Sequence, residues 1–371
     1  MHVTVVDPPA YTPPYDHALC SALARRGLAV ELVTSRFRFG GVPRPAGYRR
    51  TEDFYRVWSQ SAVAKALQHP VDMSRLALRL RRAPRGIVHL QWLPIPALDR
   101  QLLRALPRPL VLTAHDVLPR EVRRGAAAGT RAALREVDAV VVHSEAGRSR
   151  LLEEVGVEPA RVHVIPHGAF EYLAAQLPAS APPALEGLDG RRVVLFFGLV
   201  RPYKGVDLLV EAFAAAPADA VLLVVGMPRT PIEPLRRRAR ELGIEARVRF
   251  VPRFVPDDEL ASFFRRADVV ALPYREIDQS GVLYTALAFG SPLLLSAVGG
   301  FPAIAAHGAA RLVEPGDVES LRSGLVELLE DSELRRRIGA AARRLARAEH
   351  SWEAAAEATE RVYRRVLEER S

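Results

Sequence analysis

The sequence is poor in the residues that support several classes of protein. One cysteine, Cys20, among 371 residues excludes an internal disulfide framework and a cysteine-based metal cluster. The opening MHVTVVDPP has no basic leader, and Asp7 ends its apolar run too early for a signal peptide. With 49% hydrophobic and 26% charged residues, disordered and fibrous classes are excluded. We therefore expect a folded cytoplasmic protein.

An uninterrupted membrane-spanning run is also absent. No Asp, Glu, Lys or Arg occurs from Gln279 to Ala310, a stretch long enough to raise the question of a span. Glycine and proline break it at Gly290-Ser291-Pro292 and again at Gly299-Gly300-Phe301-Pro302. These breaks favour a buried helix, a turn and a strand.

Lysine is scarce, while arginine is abundant. Lys65 and Lys204 are the two lysines among 52 basic residues, and the net charge is +9. Residues 1–190 hold 25 Lys+Arg against 18 Asp+Glu, which favours an anionic partner such as a lipid headgroup, a phosphorylated acceptor or nucleic acid. An arginine-rich coding bias accounts for the same excess.

Short β-branched runs alternate with helical segments along the chain. The predicted strands are His2–Asp7, Ala29–Thr34, Gly86–Leu90, Leu110–Thr113, Ala139–Val142, Val162–Ile165, Arg192–Phe197, Ala220–Val225, Val248–Val251, Asp268–Leu272 and Pro292–Ser296. Such alternation indicates parallel sheets with helices on both faces. The predicted fold class is α/β, with two doubly wound Rossmann-like domains.

The alternation is interrupted once, by LPASAPPALEGLDG, which is typical of a linker. The predicted organisation is a first domain at 1–172, a linker at 173–190, a second domain at 191–350 and a closing helix at 351–371. Ligands of two such domains bind at the carboxyl ends of their strands, in the cleft between them.

The segment FFGLVRPYKGVDLLVEAF, residues 196–213, carries the sharpest chemical pattern. A buried strand ends at Gly198, a loop presents Arg201 and Lys204, and a helix begins near Asp207. A guanidinium fork, an ammonium group and free helix amides together predict an anion site. The spacing matches neither a Walker loop nor a dinucleotide-binding motif. A solvated basic loop is the alternative.

A second polar segment follows Pro273-Tyr274. Glu276 and Asp278 lie in its loop, and Ser280 and Gly281 open a helix whose hydroxyl and amide groups suit another edge of the same phosphate. An ordinary N-cap at Ser280 is the alternative.

Taken together, these segments resemble the retaining GT-B glycosyltransferases of family four, the "glycosyl transferases group one" class. The resemblance runs nearly end to end. The segments that fit the family pattern are TAHD at 113–116, VIPHG at 164–168, G-x-x-R-x-x-K-G at 198–205, ALAFGSPLLLSAVGGFPAI and RLVEPGD. It implies metal-independent transfer from a nucleotide-diphosphate sugar, with no further cofactor, to a hydroxyl acceptor.

The resemblance also implies site residues. His115, Arg201, Lys204 and Glu276 are the catalytic candidates. The donor-binding candidates are Gly198, Arg201, Lys204, Glu276, Asp278, Ser280, Gly281, Val282 and Thr285, and the acceptor-side candidates are Tyr11, Tyr15 and Asp16. In the family a donor oxygen is thought to deprotonate the acceptor, and Asp16 is the candidate protein base. For His89, His143 and His167 structural roles are favoured, and no metal site is expected.

Two departures from the family pattern stand out. The usual two glutamates eight positions apart correspond here to Ile277 and Thr285, so Glu276 or Asp278 is left to touch the sugar and Thr285 to offer the ribose a hydroxyl. The usual glycine pair of the first loop is replaced by PPAYTPP, so the acceptor cannot be inferred from the family.

Two other functions remain open. A sugar-nucleotide epimerase or a phosphorylase of the same fold would share these motifs, although Lys204 is already placed on the phosphate. A basic nucleic-acid-binding module accounts for the charge alone, and no basic–aromatic motif of that kind is present, so no nucleic acid is expected.

Arginines and aromatic residues also alternate between positions 36 and 58. The set is Arg36, Phe37, Arg38, Phe39, Arg44, Tyr48, Arg49, Arg50, Phe54, Tyr55, Arg56 and Trp58. With its aromatic side chains exposed, this segment would suit an anionic membrane surface and a lipid-linked acceptor at the inner face of the membrane. With them packed in the core, a soluble acceptor is favoured.

Overall fold

The computed structural model describes residues 1–57, 61–118, 126–177 and 181–370. They form two compact units, of which the first comprises 1–38, 42–167 and 352–371 and the second 39–41 and 168–351. Each unit contains one parallel sheet flanked by helices. The predicted fold class, two doubly wound Rossmann-like domains, is confirmed.

Seven strands form the sheet of the first unit: β1 (His2–Asp7), β2 (Ala29–Ser35), β3 (Arg49–Phe54), β4 (Gly86–Leu90), β5 (Leu110–Thr113), β6 (Ala139–Val142) and β7 (Val162–Val164). Its helices include α1 (Pro13–Arg25), α2 (Ala62–Arg82), α3 (Pro96–Leu103), α4 (Ala126–Glu136) and α5 (Glu145–Arg150). The strand order is β3-β2-β1-β4-β5-β6-β7, so the direction of winding reverses between β1 and β4. Ligands of doubly wound sheets bind at the carboxyl ends of the strands beside such a reversal.

The sheet of the second unit has six strands: β8 (Arg192–Phe197), β9 (Ala220–Val225), β10 (Val248–Val251), β11 (Val269–Leu272), β12 (Leu293–Ser296) and β13 (Arg311–Val313). Its helices include α6 (Glu171–Ala175), α7 (Val206–Phe213), α8 (Glu233–Glu241), α9 (Asp257–Arg266), α10 (Gly281–Phe289), α11 (Phe301–Ala306), α12 (Val318–Glu330) and α13 (Ser332–Ala348). The order β10-β9-β8-β11-β12-β13 makes β8 and β11 neighbours at the reversal. The two loops that carry the predicted phosphate site therefore leave adjacent strands.

The units differ from the predicted domain bounds at two places. The last helix, α14 (Trp352–Glu368), belongs to the first unit, where ion pairs of 2.6 Å join Arg25 to Glu353 and Arg26 to Glu360. The described part of the predicted linker 173–190 belongs to the second unit. Leu188 is buried there, and Arg249 donates hydrogen bonds to the carbonyls of Ala184 and Glu186. Proline and glycine indicated irregular backbone there, but irregular backbone still packs on a domain.

The N-terminal helix begins earlier than its hydrophobic pattern predicts. The amphipathic pattern of residues 18–26 predicts a helix that starts at Ala18, whereas α1 begins at Pro13, because proline fits the first helical turn, where its missing N–H is not needed. Tyr15 and Asp16 are therefore helical residues and not part of the preceding loop.

Two strands were missed, and both lie at sheet edges. β3 has the sequence RRTEDF, and β13 is three residues long. An edge strand with one solvated side needs no continuous apolar run, so the pattern that identifies buried strands does not find it.

The aromatic residues of the 36–58 segment are largely packed in the structure. Tyr48, Phe54 and Tyr55 are buried in the first unit, which contradicts the expectation of an exposed aromatic surface. Phe39 is half exposed, and its ring lies 5.8 Å from that of Phe254. Trp58 falls outside the described residues. β3 accounts for the difference, because it carries Phe54 into the core of the sheet.

Candidate functional site

The loop after β8 makes a tight turn against the neighbouring strand ends. Gly198 has φ of +108°, which favours glycine, and its N–H donates to the carbonyl of Val225 over 2.9 Å. A Cβ built on Gly198 would lie 3.2 Å from Val282 Cγ2 and 3.3 Å from Lys204 Nζ. Both side chains thus meet the backbone of the turn. Gly198, Lys204 and Val282, which the sequence analysis assigned to one donor site, are brought together.

Lys204 ends a short 3₁₀ turn, Pro202–Lys204, that directs its side chain inward. Its ammonium lies 5.0 Å from the centroid of the Tyr274 ring, and the residue is only 8% exposed. A polar loop of this composition predicts that both cationic side chains are exposed, which is wrong for Lys204, whereas Arg201 is partly exposed. In this setting of low polarity the charge of Lys204 acts more strongly than it would in water.

Helix α10 begins beside this turn. Ser280 occupies the N-cap position, yet among the described residues its hydroxyl makes no capping hydrogen bond and lies 3.4 Å from the Tyr274 hydroxyl. The side chain of Ser280 therefore does not cap α10. Gly281 is exposed at the first helical position, where the amides carry the positive end of the helix dipole.

An open groove of about 650 Å³ lies next to the same loops in the second unit. Its lining includes Arg201, Tyr203, Thr230, Arg275 and Glu276. Glu276 is exposed in it, so the predicted guanidinium and the predicted carboxylate face one groove. The volume suits a ligand of nucleotide size.

Two further donor candidates lie deeper. Asp278 is buried in a loop that packs on Gly299, where an added Cβ would lie 1.9 Å from the carbonyl oxygen of Ile277. Thr285 is buried within α10, and its hydroxyl donates to the carbonyl of Gly281 over 2.9 Å. As placed, the proton of that hydroxyl is already used, so Thr285 could offer a ribose only its lone pairs.

His115 lies just beyond β5 in the first unit, near the reversal of that sheet. Its Nε2 is 3.0 Å from Gln91 Oε1, and its ring stacks on Trp92 with centroids 4.9 Å apart. The residue is buried, and desolvation holds its pKa well below 6.5, with nearby His143 and His167 adding to the effect. His115 is accordingly a neutral imidazole at physiological pH.

The acceptor-side candidates surround the same strand ends but differ in exposure. Tyr11 is 63% exposed, with its ring edge-on to Trp92 at 5.5 Å. Tyr15 is buried, and its ring lies 4.6 Å from that of His115. Tyr11 thus faces solvent, and Tyr15 supports the histidine.

Asp16 is buried against Asp7, the last residue of β1. Burial raises the pKa of Asp16 well above 3.8, helped by the charge of Asp7, and burial raises the pKa of Asp7 to about 6. The adjoining cavity of about 20 Å³ has room for little more than one water molecule. A role for Asp16 as acceptor base is not favoured by this enclosure.

The remaining histidines of the first unit have structural contacts. His89 is buried with Nδ1 at 2.6 Å from the Tyr363 hydroxyl and Nε2 at 2.8 Å from Thr113 Oγ1. His143 Nδ1 is 2.9 Å from the carbonyl of Ile165, and His167 packs against Trp352. These contacts agree with the structural roles predicted for all three.

Sequence reasoning missed two residues of the site. Tyr274 lies beneath both Lys204 and Ser280, and its position directly after a buried strand was the available signal. Arg275 joins the loop after β11 to α7 through a bidentate ion pair with Asp207, at 2.9 and 2.7 Å. Its partner is distant in sequence, so no local pattern indicated it.

Two features are absent from the part of the chain that the structure describes. None of the described helices is both long and apolar enough to cross a membrane. Within the same residues, no group of three or more His, Cys, Asp or Glu side chains is arranged to hold a metal ion.

Comparisons with known proteins bear on both units. Residues 15–169 match the family model described as Glycosyltransferase Family 4, and residues 183–345 match the model described as Glycosyl transferases group 1. A D-inositol 3-phosphate glycosyltransferase of Kineococcus radiotolerans is 32% identical over 271 residues, which are 67% of this chain and 61% of that protein. The match thus spans about three fifths of that relative's length.

Solved structures extend the likeness to the whole chain. Sucrose-phosphate synthase from Thermosynechococcus elongatus superposes with a TM-score of 0.80 at 21% identity, covering 100% of both chains. Anabaena HepE in complex with UDP-glucose gives 0.76 at 17% identity, covering 98% of this chain and 99% of that one. At such identities the likeness concerns the fold. With a family model matching most of each unit, the chain belongs to the group 1 glycosyltransferases of GT-B fold.

Proposed function

We propose that the protein transfers a sugar from a nucleotide-diphosphate sugar to a hydroxyl acceptor with retention of anomeric configuration. The observation that carries the proposal is the meeting of the Lys204 ammonium and the start of α10 at the backbone of Gly198. A cation and a helix N-terminus at one glycine turn form a cradle for a phosphate group.

Departure of the nucleotide diphosphate builds negative charge on its outer phosphate. Lys204 and the first amides of α10 are fixed in advance to stabilise that charge, and Arg201 supplies a guanidinium from the adjoining groove. Loss of one preorganised donor of this kind typically costs about 2.7–4 kcal/mol of transition-state stabilisation. With two positive side chains on the leaving group, we propose a reaction that needs no metal ion.

The transferred sugar needs separate contacts. Glu276 is exposed in the same groove as Arg201, so we assign it to the sugar hydroxyls. We assign His115 to the substrate as an uncharged hydrogen-bonding group, because its pKa lies far below neutrality. No protein base is assigned: we propose that a donor phosphate oxygen takes the proton of the acceptor.

The donor nucleotide can be tested first. Anabaena HepE is described in complex with UDP-glucose, which makes UDP the first ligand to try here. A ligand at about 100 times its dissociation constant stabilises the folded protein by about 2.7 kcal/mol. A thermal-shift series with UDP, GDP, ADP and TDP should single out one nucleotide. A flat series would contradict the assignment of the groove.

Two variants test the phosphate cradle. Arg201→Ala and Lys204→Met should each reduce turnover of the identified donor by about 100-fold or more while nucleotide-free stability stays close to that of the parent. Arg336→Ala, an exposed arginine on α13, is the matched control and should be silent. Unchanged turnover in both cradle variants would remove the donor assignment.

Retention and metal independence have their own readouts. The proton NMR spectrum of the glycoside product should show the same anomeric configuration as the sugar of the donor. EDTA should leave the rate unchanged, and a strict requirement for Mg²⁺ or Mn²⁺ would contradict the proposed mechanism. Sugar isomerisation in the absence of an acceptor would point to an epimerase instead.

The packed aromatic side chains remove the segment 36–58 as support for a lipid-linked acceptor, whereas the basic excess of the first half of the chain still favours an anionic partner. On that charge we also propose that the hydroxyl acceptor is presented at an anionic membrane surface. The positive charge of residues 1–190 supports this part of the proposal.

A further inference from the structure

Helix α2 of the first unit carries a row of exposed apolar side chains. Val63, Leu67, Val71 and Leu78 are 72%, 63%, 47% and 53% exposed. Their spacing of four, four and seven residues places them on one face of the helix. They make up four of the nine large apolar side chains that are exposed in the described part of the chain. We call these four residues the α2 apolar row.

Positive charge borders the α2 apolar row. Arg75, Arg81 and Arg82 are exposed on the same helix, and Arg85 follows its end. Asp72 is the acidic residue of α2 and is buried: its carboxylate accepts from the N–H of Tyr55 over 2.9 Å, and its Oδ1 lies 3.6 Å from Arg75 Nη1, so Arg75 already has an ion-pair partner within the helix. The outward face of α2 thus presents apolar and basic groups with no carboxylate of its own.

The opposite face holds α2 firmly in the unit. Met73, Leu76 and Leu80 are buried in the core of the first unit. His69 is also buried, with Nε2 at 2.6 Å from Asp99 Oδ1 and Nδ1 at 2.9 Å from the Tyr55 hydroxyl. The outward face of α2 is therefore exposed in the folded unit, and a partner can contact it without any unfolding.

We propose that the outward face of α2 binds the surface of a bilayer that contains anionic phospholipids. The α2 apolar row enters the boundary between headgroups and acyl chains, while the arginines contact the lipid phosphates. An amphipathic helix that lies in the plane of the interface has this division of its faces. The segment 36–58, with its buried aromatics, is replaced by α2 as the membrane-binding surface.

The charge distribution favours a lipid surface over other occupants. A second copy docked symmetrically on α2 would bring together two faces of the same composition, so the arginines of each copy would meet apolar side chains or other arginines of α2. A nucleic acid would satisfy the arginines but leave the central apolar row against a phosphate backbone. An anionic bilayer matches both components, because its phosphates lie directly above an apolar layer.

Binding by α2 rests on the proposed function, in which the acceptor is presented at a membrane, but the experiment measures lipid binding alone. The full chain is co-sedimented at low salt with vesicles of phosphatidylcholine, with and without one third phosphatidylglycerol. We expect binding to the vesicles with phosphatidylglycerol and little binding to phosphatidylcholine alone. Turnover of the sugar donor is measured separately, so a failure of either proposal leaves the other to be judged on its own.

Variants identify the surface. Leu67→Glu combined with Val71→Glu should lower vesicle partitioning by at least about ten-fold. Arg81→Gln with Arg82→Gln should lower it by roughly five-fold per arginine. The matched controls are Leu177→Glu, at an apolar side chain 88% exposed in the second unit, and Arg336→Gln with Arg337→Gln on α13.

Circular dichroism and melting temperature establish that each variant is folded. Equal binding of the parent and the Leu67→Glu, Val71→Glu variant would overturn the proposal. A dimer of the parent in light scattering that the same variant dissolves would also overturn it, because the face would then be a contact between copies.

Discussion

The ammonium of Lys204 lies 5.0 Å from the centroid of the Tyr274 ring, and Tyr274 is wholly buried beneath it. The aromatic face holds the cation where it meets Gly198 and the start of α10. It does so without neutralising the charge, whereas a carboxylate in that place would compete with a phosphate.

Replacing Tyr274 should therefore impair the site. Tyr274→Leu removes the aromatic face, and a desolvated cation–π contact contributes about 2 kcal/mol, so we expect kcat/KM to fall by about 30-fold. Tyr274→Phe keeps the face and loses only the hydroxyl near Ser280, so it should stay within a few-fold of the parent. Steady-state kinetics measure kcat/KM for both variants. Equal kcat/KM values for Tyr274→Leu and Tyr274→Phe would contradict the role of the aromatic ring.

A methyl group at Gly198 should weaken nucleotide binding. An added Cβ would press on Lys204 Nζ and Val282 Cγ2, and φ of +108° strains any other residue. We expect Gly198→Ala to lower stability by about 1–3 kcal/mol and to weaken affinity for the nucleotide. Calorimetric titration and urea unfolding measure the two effects. A variant that binds the nucleotide as tightly as the parent would show that the phosphate lies elsewhere.

The buried pair Asp7 and Asp16 should make the first unit less stable at higher pH. The pKa of Asp7 is raised from 3.8 to about 6, and that of Asp16 is raised well above 3.8, so the native state keeps protons that the unfolded chain has released. The stabilisation is complete below about pH 4 and is lost as the pH rises through 6. For Asp7 alone the loss is on the order of 3 kcal/mol.

Asp16→Asn tests this pH dependence, because it removes one of the two charges and should flatten the decline between about pH 4 and pH 6. Trp92 and Trp352 lie in the first unit, so tryptophan fluorescence during urea unfolding reports on it. An unchanged slope in the variant would show that the pair does not share a proton.

The buried histidines should act in the opposite direction. Desolvation lowers the pKa of His89 from 6.5 to about 3, with the charge of His143 adding to the effect. Its contribution to stability is complete above pH 6.5 and is lost as the pH falls toward 3, because only the unfolded chain takes up the proton. We expect His89→Gln to reduce the acid sensitivity of the fluorescence transition, and a variant as acid-sensitive as the parent would be the contrary result.

The local sequence pattern was sufficient to predict a structural element or a loop where a single segment determines it. The all-apolar run of β9 predicted a buried strand, and the spacing of Gly198, Arg201 and Lys204 predicted an anion loop. The same pattern was insufficient where the burial or pairing of a side chain depends on residues distant in sequence. Lys204 is buried because Tyr274 lies beneath it, and Asp16 is paired because α1 begins at Pro13 and turns that carboxyl toward β1. The polar edge strand β3 has the composition of a loop.

Because α14 packs on α1, the first unit is completed by its last segment, which residues 168–351 of the second unit separate in sequence from the rest of the first unit. In the terms of chain topology, the second unit is an insertion within the first. A polypeptide that is still being synthesised cannot complete the first unit until residues 352–368 have emerged from the ribosome, whereas every residue of the second unit has been made by then.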